Sequence, residues 1–105
     1  MVSMDDIQLV ADRIAREFDP DKIILFGSYA HGTAGPDSDV DLLVVLPFEG
    51  KPFWKSVEII NRVNPQFSLE LIARRPADAA SRYAQGDPLI HDAFDHGRVL
   101  YDRCA

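Results

Sequence analysis

Two apolar runs, Ile23-Ile24-Leu25-Phe26 and Leu42-Leu43-Val44-Val45-Leu46, are joined by a link too short for a crossover, and this constrains the fold most. Only eleven residues separate Gly27 from Asp39, whereas a parallel connection takes a dozen or more and usually a full helix. The first two strands are therefore predicted to be antiparallel. The end of the first and the start of the second then lie at one edge of a sheet. Gly27-Ser28 and Asp39/Asp41 are expected to share a cleft there.

The remaining elements follow from periodicity and from caps. Ser3 with Asp6 three residues on reads as a helix start, and Ile7, Val10, Ala11, Ile14 and Phe18 recur at helical spacing up to Asp19-Pro20. Lys22–Phe26 is a short, continuously apolar strand and 39–46 is a second, stopped by Pro47. Pro52 suits the first turn of a helix with apolar positions Phe53, Val57, Ile60 and Val63, closed by Asn64-Pro65. Residues 66–73 alternate as a third strand, with Glu70 on the face of Ser68 and Ile72. Pro76 opens a helix through Tyr83, and Asp87-Pro88 opens another that ends near Gly97. Val99-Leu100-Tyr101 is a strand or a docking segment. The order describes an α/β (α+β) domain over 1–105, with a small mixed sheet and flanking helices.

Chemistry concentrates at the predicted sheet edge. Asp39 and Asp41 are two apart, so on a strand they share a face with α-carbons about 6.6 Å apart. Acids on a strand of Leu and Val are costly unless paired. Their carboxylates can meet on one magnesium ion, or bridge two ions about 3.5–4 Å apart. Gly27 lets backbone approach a ligand closely, and Ser28 adds a hydroxyl and an amide at the start of a helical turn, where anions are favoured. Glu70, an acid inside an apolar strand, is the candidate third metal ligand and the candidate base for an attacking hydroxyl. These residues suit a metal-bound nucleoside triphosphate such as Mg-ATP, and hence phosphoryl or nucleotidyl transfer.

Other polar and aromatic residues carry less. His91 and His96 are five apart and read as solvated, because a shared helical metal site prefers i and i+4. Arg74-Arg75 read either as solvated loop cations or as groups reaching a triphosphate. Phe53 and Trp54 read as core rather than as a base-stacking platform. Cys104, the one cysteine, excludes a disulfide framework and a cysteine zinc site. The formal charge of -6 argues against direct nucleic-acid binding and suits a basic protein partner. No segment approaches a bilayer span, no signal peptide opens the chain, and a cytoplasmic location is expected.

Gly27-Ser28, then Gly32, then Ser38-Asp39-Val40-Asp41-Leu42 resembles the signature of the DNA polymerase β-type nucleotidyltransferase superfamily. The short length resembles its minimal nucleotidyltransferase (MNT) branch. That resemblance implies a nucleotidyltransferase fold, phosphate contacts at Gly27 and Ser28, and magnesium at Asp39 and Asp41, with Glu70 in the third-acid place. Two positions depart from the pattern: the third acid is commonly Asp, and position 31 is often Arg where this chain has His31. The branch is paired with HEPN toxins, small all-helical ribonucleases, which it counters as antitoxin by binding or by moving AMP from ATP to a tyrosine. The resemblance therefore implies AMP transfer to a partner toxin, with neutralisation by binding alone as the alternative.

Overall fold

The computed structural model describes residues 1–105. Helix α1 (Met4–Phe18) starts where Ser3 Oγ accepts the Asp6 amide at 3.1 Å and stops at Asp19, which takes a left-handed conformation. Strand β1 (Lys22–Phe26), a four-residue helix α2 (Ser28–His31) and strand β2 (Val40–Val45) follow. Helix α3 (Pro52–Val63) leads to β3 (Leu69–Arg74), then α4 (Pro76–Ala84), α5 (Pro88–His96) and β4 (Arg98–Asp102).

The four strands form one mixed sheet in the order β3-β2-β1-β4. β1 and β2 are antiparallel, with Phe26 opposite Asp41, as the short link requires. β3 is parallel to β2, with Asp41 opposite Glu70, and α3 is its crossover. β4 closes the far edge antiparallel to β1, so the Val99-Leu100-Tyr101 segment is a strand.

Helices cover both faces, which explains why β1 and β2 are apolar without alternation. On one face α1 and α3 bury Ile7, Ile14, Ile59 and Val63 against Ile23, Leu25, Leu42 and Val44. On the other, α4 and α5 bury Ala79, Ile90 and Ala93 against Ile24, Phe26, Leu43 and Val45. Asp41 shares this second face by strand alternation.

Three expectations need correction. The strand expected over 66–73 begins only at Leu69, because Pro65 and the connection out of α3 occupy the residues before it. The buried positions of α3 are Ile59 and Val63, while Phe53 and Trp54 are 65% and 64% exposed. Both aromatics lie in the first turn of α3 and are surface, not core. Arg74 belongs to β3, half-buried beside Asp78, and is no loop residue.

Candidate active site

The antiparallel β1–β2 pair brings the turn after β1 and the head of β2 to one edge. Gly27 has φ 73° and ψ -153°, a region essentially reserved for glycine. A Cβ built there would overlap Asp41 Oδ2 and lie 3.2 Å from Asp41 Cγ. Glycine is therefore required twice, by backbone conformation and by the carboxylate lying against it. The carbonyl of Gly27 accepts the amides of Ala30 and His31 at 3.1 Å each, which winds α2 tightly after the strand. Ser28, half-buried, heads this turn, and a helix's leading amides have no partner inside the helix.

Asp41 is the centre of the edge. Its pKa is raised from 3.8 to about 6, first by burial, then by the charge of Glu70 and a hydrogen bond with it, and last by the charge of Asp39. The parallel pairing of β2 with β3 makes Asp41 and Glu70 direct neighbours on one face. Asp39 precedes the strand by one residue and is exposed. The structure thus joins Gly27, Asp41 and Glu70 closely, with Ser28 beside them and Asp39 at the rim.

No three His, Cys, Asp or Glu side chains are drawn together into a finished cation cage. The donor set nonetheless fits magnesium. This ion takes one or two carboxylates and completes its shell with water and phosphate oxygens. Two mutually repelling carboxylates, one of them partly desolvated, provide the charge such an ion would neutralise.

Other candidates fall away from this edge. Arg74 pairs with Val45 at the opposite end of β2. Arg75 donates from Nε to the Phe48 carbonyl at 2.9 Å and from its guanidinium to the Gly50 carbonyl, and it lies 4.3 Å from the Phe48 ring centre. Neither arginine is a solvated loop cation, and neither stands at the acids. A cavity of about 510 Å³ also opens at that distal end, beside Lys22, Val45 and Phe94, so the largest hollow is not where the acids meet. His91 and His96 are exposed as expected. His31 contacts Asp92 at 3.1 Å, tying α2 to α5. Nothing local in the sequence marks Asp92, which lies 61 residues from its partner.

Comparison with known proteins addresses the fold and the family. No curated protein sequence matches significantly. Among solved structures, one described as a nucleotidyltransferase from Sulfolobus solfataricus superposes with a TM-score of 0.65 at 18% identity, over 94% of this chain and 79% of that one. A toxin–antitoxin structure with AMP-PNP gives 0.57 at 19% identity, over 90% and 73%. A mutant of the toxin–antitoxin pair MntA-HpeT gives 0.55 at 17% identity, over 90% and 73%. At these identities the likeness establishes the fold. The nucleotidyltransferase domain profile matches residues 7–100, which takes in the glycine turn, both aspartates and Glu70. The chain that folds Gly27 against Asp41 and Glu70 thus belongs to the nucleotidyltransferase domain family.

Proposed function

We propose that the protein transfers AMP from ATP to a hydroxyl of a partner protein, a tyrosine of a HEPN-type toxin, and acts as its antitoxin. The observation that carries this reading is Asp41, lodged between the bare backbone of Gly27 and the carboxylate of Glu70. Family membership supports the transfer chemistry. Likeness to a toxin–antitoxin structure with AMP-PNP supports the partner class and the nucleotide.

Gly27 admits the triphosphate close to backbone, and Ser28 offers its hydroxyl and amide to phosphate oxygens. Asp41 and Glu70, with Asp39 at the rim, are the residues that would hold magnesium. The ion, when bound, supplies positive charge to the entering and leaving oxygens of an in-line displacement. Glu70 takes the proton of the acceptor hydroxyl. The acceptor oxygen bonds to the α-phosphorus as the bond to the β-phosphate oxygen breaks, and pyrophosphate departs.

Neutralisation by contact alone is the second reading, favoured by the lack of a finished three-acid cage. One experiment separates the two. The chain is incubated with the product of the adjacent gene, ATP and magnesium, and both proteins are weighed intact. The transfer reading expects a gain of one AMP on the partner, absent with Asp41→Asn. A stable complex of unchanged mass would contradict it and favour the binder.

A further inference from the structure

Helix α2, the single turn that carries Ser28, is held by side chains from two directions. It buries no residue of its own, and one turn of helix is not stable by itself. On one side Tyr29 and Ala30 pack against the α1–α3 core, and the Tyr29 hydroxyl accepts the Val2 amide at 3.1 Å. On the other, the side-chain tie is His31 Nε2 to Asp92 Oδ2 of α5, at 3.1 Å. A carboxylate only accepts, so the nitrogen carries the hydrogen.

Asp92 stands on a firm base. Ile90 and Ala93, on either side of it in α5, are buried in the cluster that contains Ile24 and Phe26. Gly97 follows the helix, and a Cβ built there would overlap the Ala93 carbonyl and lie 2.7 Å from Ile24 Cγ2 and 2.8 Å from the Leu25 carbonyl oxygen. The end of α5 therefore rests directly on β1, the strand that runs into Gly27. The His96 ring stands beside the pair, 6.3 Å from that of His31 and tilted by 47°.

The side chains of His31 and Asp92 are 43% and 38% exposed, and an ion pair so placed adds little to global stability. Its leverage is local. The amides of Ala30 and His31 bond to the Gly27 carbonyl and that of Thr33 to the Ser28 carbonyl, so the turn is secured mainly by its own backbone.

We infer that Asp92 is a positioning residue: through His31 it clamps α2 to α5, and so holds the Ser28 hydroxyl and amide in place beside Gly27 for the nucleotide phosphates. The clamp stands on the geometry alone, while its phosphate role rests on the transfer reading. Asp92 itself touches no phosphate. His31 acts as a strut and not as a phosphate-binding cation, since its Nε2 is committed to Asp92.

Amide exchange followed by NMR, without nucleotide, reads the clamp directly. Asp92→Ala and His31→Ala should each speed exchange at Ala30 and Thr33 about threefold to fivefold, with Ile24 and Leu43 unchanged. Combining the two should add nothing further, because both remove one interaction. His31→Arg, which still reaches the carboxylate, and Asp92→Asn, which keeps an acceptor of the same shape, should exchange as wild type does. Calorimetry should show Mg-ATP bound about threefold more weakly by Asp92→Ala and normally by His31→Arg. Unchanged exchange in Asp92→Ala, or losses that add in the double variant, would overturn the clamp. Faster exchange with undiminished Mg-ATP affinity would overturn the positioning role. The expected exchange pattern in a protein that binds no Mg-ATP would support the clamp and count against the transfer reading, and the phosphate role would fall with it.

Discussion

A carboxylate at position 41 lies against a glycine that has no room for a side chain, and opposite a second carboxylate, Glu70, on the neighbouring strand. The cost appears in its pKa of about 6, against 3.8 for an ordinary aspartate. A raised folded-state pKa means that the native protein holds the proton more tightly than the unfolded chain. That contribution to stability is full below pH 3.8 and is lost as pH rises through about 6. Above pH 6 the metal-free protein carries the unrelieved repulsion. Asp41→Asn should therefore melt higher than wild type at pH 7 to 8 without metal, with the advantage shrinking towards pH 4. Thermal melts of both proteins across that range check it. A variant that melts lower at every pH would show Asp41 to be structural.

Among the elements, α3 and β3 share a buried apolar contact and one side-chain hydrogen bond. Ser56 Oγ accepts the amide of Ala73 at 3.1 Å and donates to the Pro52 carbonyl at 3.0 Å. Ser56→Ala leaves a part-buried amide unpaired, which costs about 1–3 kcal/mol. Urea unfolding should show that loss, with faster exchange at Ala73; unchanged stability would mean that water replaces the hydroxyl freely. The same pair of elements shows where the sequence stops being readable. α1 and β1 were legible almost to the residue, because Ser3 caps the helix and Asp19-Pro20 separates the two. The antiparallel β1–β2 pair followed from the length of one link. The aromatics at the head of α3 did not, since a helical pattern says which residues align but not which of them meet the sheet. For the same reason Glu70 could be recognised as an unusual acid, while its place opposite Asp41 depended on a parallel register that no local pattern encodes. Arg75 reads as a free cation in sequence because its acceptors, the carbonyls of Phe48 and Gly50, lie more than twenty residues away.

Across the whole molecule, two central strands are buried on both faces and bring Gly27 and Asp41 together at one end, while a cavity of about 510 Å³ opens at the far end of the same strands. No helix is long and apolar enough to cross a membrane. A ligand that binds only the folded state stabilises it by mass action, so Mg-ATP should raise the melting temperature of wild type. Calorimetric titration of ATP, with and without magnesium, into wild type, Asp41→Asn and Gly27→Val tests the central claim without needing the partner. The account predicts magnesium-dependent ATP binding by wild type that each substitution abolishes or weakens by at least about tenfold, some 1.4 kcal/mol, with folding verified by circular dichroism. ATP affinity indifferent to magnesium, or equal in all three folded proteins, would contradict it.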